Sequence, residues 1–136
     1  MDKTLIVRRH NKGAFMPQNS ETGRQGRENG YNNADEIGAL LGATRISNNS
    51  NEFRCDGKVV VIKSGSSAVV TRAMLIRVAA IVYGERKNAE WRLYEIDPAE
   101  FESLSVQSRS RNHDENYRLV RRTQIREHGR QIYITA

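Results

Sequence analysis

The chain has 136 residues, of which 28% are charged, and its formal net charge is +6 at pH 7. A chain of this length closes one hydrophobic core, and its 38% hydrophobic content is typical of a globular domain. No run reaches the roughly 18 apolar residues that a membrane-spanning helix needs, and the first residues lack the apolar stretch of a secretory signal. We therefore expect a cytoplasmic protein of one domain with no membrane partner.

The basic excess lies near the two ends of the chain. Residues 1–30 carry six basic and three acidic groups, residues 31–104 carry nine and ten, and residues 105–136 carry seven and three. Because the middle of the chain is nearly neutral, the surplus adds positive charge to the surface near the termini. Phosphate backbones attract such charge, since each Lys or Arg beside a phosphate releases condensed counterions. The distribution favours a nucleic-acid partner over a merely solubilising surface.

Residues 1–32 are predicted to form a short strand and a polar loop or arm. Lys3–Val7 is a β-strand candidate. The segment His10–Asn33 is rich in Gly and Asn and has neither a helical nor a β period, which is typical of a long loop.

An α/β core is predicted for residues 33–104, and it begins with a helix. Asn33 can cap the free backbone N–H groups, and Glu36 at the third helical position completes a capping box. Gly42 is placed to end this helix. A brief strand, Thr44–Ile46, is expected to follow.

The segment from Glu52 to Lys63 predicts a tight β-hairpin. Asp56 and Gly57 form a two-residue turn of the type that needs positive φ, with β-forming residues on both sides. In the register that this turn sets, Glu52 faces Val61, so Lys63 lies diagonally next to Glu52 on the same face. The other predicted pairs are Cys55 with Lys58, Arg54 with Val59 and Phe53 with Val60.

The rest of the core is predicted to alternate between helix and strand. Val69–Tyr83 is apolar nearly all round, which indicates a helix buried against a sheet, with Gly84 as its C-cap. A polar turn, Glu85–Glu90, then leads to a strand, Trp91–Ile96, and Pro98 opens a short helix through Leu104. A strand, a crossover helix and a strand favour parallel pairing, so the predicted fold class is α/β, with one mixed sheet and flanking helices.

Residues 105–136 are predicted to form a basic extension. Ser105–Asn116 is polar, while Tyr117–Val120 and Gln131–Thr135 could form a second hairpin around Glu127–Gly129. Seven arginines in this region suit contact with nucleic-acid phosphates. They are Arg109, Arg111, Arg118, Arg121, Arg122, Arg126 and Arg130.

Two further segments have weaker chemical interpretations. The run Asn112–Asn116 contains His113 and superficially suggests a histidine nuclease site, but it lacks a second placed His and a cysteine knuckle, so we interpret it as a solvated loop. Ser64–Ser67 is interpreted as a turn leading into a helix, where free backbone N–H groups could touch a phosphate.

The order of these elements resembles the restriction-endonuclease-like superfamily, which is known by its PD-(D/E)XK signature. Over Asn33–Ile96, a helix bearing a Glu precedes a strand bearing an acid, a hairpin turn, a strand ending in Lys, a buried helix and another strand. The resemblance implies a DNA-binding, Mg²⁺-dependent endonuclease with a restriction-endonuclease-like fold. The resemblance gives Glu52 the role of the first acid of the signature, which holds the metal ion. It gives Lys63 the role of the signature lysine, and Glu36 that of an additional metal-holding carboxylate.

Val61 departs from the family pattern, because it occupies the place of the second acid. Mg²⁺ prefers hard oxygen ligands, and a hydrocarbon supplies none. Either a displaced acid compensates in a catalytic site with Glu52 and Lys63, or the chain is a non-catalytic nucleic-acid-binding module with a nuclease-like fold. Glu36 is the better candidate for that acid, because Asp56 in the turn is about 13 Å of strand from Glu52. Glu36 could also serve only its helix cap, and Glu52 and Lys63 could form only a cross-strand salt bridge.

Two questions about partners stay open from the sequence. The basic tail could dock on an acidic protein instead of a nucleic acid. A homodimer would suit a protein that must contact both strands of DNA, and the sequence does not fix the oligomeric state.

Overall fold

A computed structural model of the chain describes residues 6–8, 23–47 and 50–132, which form two β-sheets and four helices. In chain order the elements are β1 (Ile6–Arg8), α1 (Gly23–Leu41), β2 (Thr44–Ser47), β3 (Glu52–Cys55), β4 (Lys58–Ser64), β5 (Ser67–Thr71), α2 (Arg72–Arg77), β6 (Ala80–Lys87), β7 (Glu90–Ile96), α3 (Pro98–Leu104), β8 (Val106–Gln107), β9 (Tyr117–Arg121), α4 (Arg122–His128) and β10 (Arg130–Ile132).

The larger sheet contains seven strands in the order β1-β7-β6-β4-β3-β2, with β10 also paired to β7. β4 and β6 run parallel, whereas β3 is antiparallel to β4 and β7 is antiparallel to β6. The smaller sheet has the order β5-β9-β8. The predicted α/β class with a mixed sheet is therefore confirmed, while the restriction-endonuclease-like fold stays a prediction.

The hairpin at Asp56 and Gly57 has the predicted register. Glu52 faces Val61, and the other three pairs are those expected from the sequence. Asp56 has a φ of 53° and Gly57 a φ of 79°, as a two-residue turn of this type requires. A local turn signal was sufficient here because it fixes every pair on the two strands that it joins.

Both faces of the larger sheet are covered. On one face, Phe53 and Ile62 pack with Ala34 and Ile37 of α1. On the other face lies a second cluster, which joins the sheet to the smaller sheet and to α2, α3 and α4. Its fully buried members include Val61, Val70, Ile81, Phe101, Val120 and Ile125. Burial of each such side chain contributes roughly 1.5–3 kcal/mol to the free energy of unfolding. The two clusters therefore hold α1 on one face of the larger sheet, and the smaller sheet with the other helices on its opposite face.

Helix α1 begins at Gly23, ten residues before the start that the sequence predicted. Asn33 is consequently a residue of the helix interior and not its N-cap, and the predicted capping box of Glu36 is wrong. Burial of Ala34 and Ile37 anchors the second half of the helix, and propagation from a formed helix costs less than nucleation, so polar residues extend it. Gly42, with a φ of 70°, follows the last helical residue as predicted.

The segment Val69–Tyr83 is not one helix. It contains most of β5, the short helix α2 and the first half of β6. Residues 80–85 are all buried, and a strand buried on both faces loses the alternating pattern that distinguishes it from a buried helix. Because β6 continues through Lys87, the predicted turn shrinks to Asn88 and Ala89, and the parallel partner of β4 is β6 and not Trp91–Ile96.

The predicted second hairpin is also replaced by a different pairing. β9 lies in the smaller sheet between β5 and β8, whereas β10 pairs with β7 in the larger sheet. Helix α4 occupies the place of the predicted turn, because Ile125 is fully buried in the core. Residues 133–135 of this predicted hairpin and residues 3–5 of the first predicted strand lie outside the described residues.

No helix in the described ranges is both long and apolar enough to cross a membrane.

A pair of glycine substitutions in α1 tests how tightly this helix packs on the sheet. A Cβ atom at Gly38 would lie 2.5 Å from Cε2 of the buried Phe53, whereas a Cβ at Gly30 would meet nothing within 4 Å. We expect Gly38→Ala to destabilise the protein by roughly 1–3 kcal/mol. The control, Gly30→Ala, should stabilise it by roughly 0.5–1 kcal/mol through helix propensity. Urea unfolding measures both, and equal effects would contradict the close contact.

Candidate nucleic-acid interface

Glu52 and Lys63 lie on the same face of the larger sheet, because the confirmed register places them two residues apart across β3 and β4. Glu52 is buried, and it accepts a hydrogen bond from the guanidinium group of Arg77, the last residue of α2. Lys63 is half-buried, and burial lowers its pKa below the ordinary lysine value. Among the described residues, no side chain forms an ion pair with Lys63.

Glu36 lies on the opposite face of that sheet. Its carboxylate is 2.6 Å from Nη2 of Arg86 and accepts a hydrogen bond of 3.3 Å from Nε1 of Trp91. Trp91 belongs to the cluster beneath α1. The structure therefore does not bring Glu36 together with Glu52 and Lys63.

The donor groups on the Glu52 face do not fit the Mg²⁺ site that the family resemblance implies. The Glu52 carboxylate is occupied by Arg77, and Val61 beside it is a fully buried hydrocarbon. Within the part of the chain that the structure describes, no group of three or more His, Cys, Asp and Glu side chains could hold a metal ion. Catalysis through Glu52, Lys63 and Glu36 with Mg²⁺ stays a prediction from the sequence.

The seven predicted arginines divide into two groups. Arg118 donates to Ser105, Arg126 pairs with Glu85, and Arg130 pairs with Glu95, so these three stabilise the fold. The other four are exposed and, within the described residues, have no carboxylate partner. They are Arg109, Arg111, Arg121 and Arg122.

Arg121 and Arg122 stand side by side where β9 ends and α4 begins, and we call this pair the arginine ridge. Each residue lines a different cleft. Arg122 lines one of about 480 Å³, the sheet-end cleft, together with the loop residues Ser64, Gly65 and Ser66. Arg121 lines one of about 720 Å³, the loop cleft, which lies against the segment 106–113. The ridge thus separates two concave surfaces, and neither Glu52 nor Lys63 is among the described residues lining them.

The sheet-end cleft lies at the carboxyl end of β4, where the parallel pairing of β4 with β6 stops. Ser64 ends β4, and Gly84 and Glu85 lie in β6 beside it. The crevice outside the carboxyl ends of parallel strands is where ligands bind in open α/β sheets. Ser64–Ser67 was expected to lead into a helix, but it joins two strands, and Gly65 at a φ of 108° makes the turn.

Two hydrogen bonds to the turn at Gly65 and Ser66 help to shape the sheet-end cleft. The Tyr83 hydroxyl donates to the carbonyl oxygen of Gly65, and the N–H of Arg122 donates to the carbonyl oxygen of Ser66 at 3.0 Å. Burial, followed by the negative charge of Glu85, raises the pKa of Tyr83 to about 12. The phenol therefore keeps its proton at neutral pH and remains a donor.

Glu85, which lines this cleft, and Glu36, which pairs with the lining residue Arg86, both have cationic partners. Nε of Arg126 lies 3.2 Å from both carboxylate oxygens of Glu85, which is 9% exposed. Glu36 is paired with Arg86, whose guanidinium group also lies 4.5 Å from the centre of the Trp91 ring. Arg122 has no carboxylate partner among the described residues, so its guanidinium group adds positive charge to the cleft.

The loop cleft contains a histidine that is held in place. Oγ of the buried Ser108 is 2.7 Å from Nδ1 of His113, and the imidazole stacks on the Tyr117 ring with centroids 4.1 Å apart. The sequence of Asn112–Asn116 predicted a solvated loop and gave no sign of this contact. Nothing in the local sequence pairs Ser108 with His113, so only the folded loop could reveal their contact.

Comparison with known proteins finds no matching family model, no similar curated protein and no similar solved structure.

Replacing Lys63 tests the burial of its ammonium group. Because its folded-state pKa is lowered, the unfolded chain binds more protons than the folded chain between that pKa and 10.5, and stability rises with pH there. We expect Lys63→Met to be more stable than the parent protein near pH 7, with the difference shrinking as the pH approaches 10.5. Urea unfolding across this range measures it.

The control for this substitution is Lys58→Met, at the exposed start of the same strand. It should leave the stability near pH 7 nearly unchanged. A Lys63→Met protein with the parent's pH dependence would show that Lys63 is well solvated in the folded state.

Proposed function

We propose that this protein binds the sugar–phosphate backbone of nucleic acid at the arginine ridge and the two clefts beside it. The observation that carries the proposal is the pair of adjacent exposed arginines, Arg121 and Arg122, each opening onto its own concave surface. Arginine matches phosphate oxygens with a planar fork of donors, and phosphate contacts supply most of the affinity of sequence-independent binding.

The geometry of the ridge supports contact with more than one phosphate. Arg121 has extended backbone angles, with a φ of −80° and a ψ of 154°. Arg122 is the first residue of α4, and the two arginines line different clefts. Guanidinium groups in two neighbouring clefts can hold successive phosphates of one strand and so fix its direction across the surface.

Neighbouring groups add donors along the same path. Arg109 lines the loop cleft with Arg121, and Asn33 and Ser64 line the sheet-end cleft, where the Asn33 amide donates to the Ser64 hydroxyl at 3.4 Å. Short polar side chains of this kind commonly contact phosphate and sugar oxygens. DNA is the partner that the family resemblance implies, and backbone recognition of this type applies equally to single strands.

Binding without cleavage agrees better with the geometry than Mg²⁺-dependent cleavage does. Glu52 is engaged by Arg77, and Glu36 is on the other face of the sheet. The arginine ridge needs neither residue. Non-catalytic nucleic-acid binding is one of the two alternatives that the sequence left open. The nuclease is the competing hypothesis.

Charge removal at the ridge tests the binding proposal. We expect Arg121→Ala and Arg122→Ala each to weaken binding to a DNA duplex or a single strand of mixed sequence. Each substitution should also make the negative slope of log binding constant against log salt concentration shallower by about 0.7 to 0.9, because one fewer counterion is released. Fluorescence anisotropy over a series of salt concentrations measures both quantities.

The matched control is Arg54→Ala, which removes the same charge from an exposed position opposite Val59. Val59 is five residues from Ser64 along β4, or roughly 17 Å of strand. Equal losses in the control and the ridge variants would mean that net charge and not the ridge determines binding. An absence of binding by the parent protein to both DNA and RNA would favour an acidic protein partner.

A plasmid-nicking assay with Mg²⁺ or Mn²⁺ separates binding from cleavage. We expect the plasmid to stay supercoiled under conditions in which the gel shift shows it to be bound. If nicking occurs and both Glu52→Ala and Lys63→Ala abolish it, the nuclease hypothesis is correct and the non-catalytic proposal is wrong. Nicking that survives both substitutions would point to a contaminating nuclease, which a mock purification reveals.

A further inference from the structure

We propose that the loop cleft is a phosphomonoester site that receives the phosphorylated end of a nucleic-acid strand. The nucleic-acid part of this inference rests on the proposed function. The recognition of a terminal phosphate rests on the loop cleft alone, whose described lining residues are Val106, Gln107, Ser108, Arg109, Ser110, His113 and Arg121.

The charge of the loop cleft suits a dianion. Arg109 and Arg121 both line it, both are exposed, and the described lining residues include no Asp or Glu. An internal phosphodiester carries one negative charge, whereas a phosphomonoester carries roughly 1.5 to 2 at pH 7. Two guanidinium groups in one cleft therefore gain more from a terminal phosphate than from an internal one.

His113 supplies a further donor to the same cleft. The Ser108 hydroxyl accepts from the N–H of Ser110 at 3.4 Å and can donate its own proton to Nδ1 of His113 at 2.7 Å. The imidazole then carries its hydrogen on Nε2. Ser108 is only 2% exposed, so it acts as a positioning residue that orients the ring and does not itself contact the ligand.

Backbone bonds fix the loop before any ligand arrives. The N–H of Ser108 donates to the carbonyl oxygen of Tyr117 at 2.8 Å, and that of His113 donates to the carbonyl oxygen of Ser110 at 3.0 Å. Asp114, the acid next to His113, accepts from the N–H of Asn116 at 2.8 Å and is not among the lining residues. A loop held in this way loses little conformational entropy when it binds a phosphate.

The size of the cleft favours a nucleotide over an isolated ion. Its volume of about 720 Å³ lies within the range of roughly 300–1,000 Å³ that small-molecule sites occupy. A terminal nucleotide can therefore enter with its phosphate. The following strand would leave past Arg121 toward Arg122, which connects the terminal site to the arginine ridge.

The test compares three oligonucleotides of one sequence that carry a 5′-phosphate, a 3′-phosphate or hydroxyl groups at both ends. We expect one phosphorylated form to bind about tenfold more tightly than the unphosphorylated one, the gain of one charge-assisted hydrogen-bonded contact. The preferred form identifies which end the cleft receives. Arg109→Ala should remove the preference. Arg111→Ala should keep it, because Arg111 is an exposed arginine of the same loop that does not line the cleft.

The outcomes separate this inference from the proposed function. Equal binding of all three oligonucleotides would overturn the terminal site and leave backbone binding intact. A preference that survives Arg109→Ala would place the phosphate elsewhere and overturn the assignment to this cleft.

A titration with inorganic phosphate gives a second, independent measurement. We expect phosphate to shift the NMR signals of the His113 imidazole in the parent protein and not in Arg109→Ala. If no oligonucleotide binds but these signals shift, the proposed function fails and the phosphomonoester site stands. If neither oligonucleotides nor phosphate bind, both are overturned.

Discussion

The parallel pairing of β4 with β6 is the constraint on which the rest of the structure depends. Val60–Ser64 pair with Ala80–Gly84, so the chain between them must leave the larger sheet and return to it. A parallel pair requires such a crossover, and here the crossover forms β5 and α2. β5 then pairs with β9, which creates the smaller sheet and brings Arg121 and Arg122 beside the end of β4.

Buried carboxylates on the larger sheet are each matched by an arginine from a helix. Glu52 pairs with Arg77 of α2, and Glu85 pairs with Arg126 of α4. A buried charge is costly unless it is paired, and the long arginine side chain can supply a partner while its own end stays near water. Arginine-rich composition is therefore partly a structural requirement in this chain, and only tertiary contacts show which arginines are available to a ligand.

The candidate site lies at a different place from the one that the sequence indicated. The hairpin register correctly placed Glu52 and Lys63 on one face, but the sequence does not show that Arg77 reaches Glu52 from 25 residues away. In the C-terminal region, the sequence predicted arginines that contact phosphate without separating Arg121 from Arg118. The difference arises because Arg118 satisfies carbonyl and hydroxyl groups of Ser105, a pairing set by the sheet and not by spacing along the chain.

Neighbouring residues alone specify three features of the fold: the turn at Asp56 and Gly57, the end of α1 at Gly42, and the helix that begins at Pro98. In each case a residue with a restricted or unusual backbone preference acts within a few positions, so no distant contact is needed. Contacts between distant parts of the chain, by contrast, divide Val69–Tyr83 into strand, helix and strand and place Glu36 on the face opposite Glu52. A strand that is buried on both sides lacks the alternation of hydrophobic and polar residues by which a strand is recognised. The partner of a charged side chain depends on which surfaces the folded chain brings together.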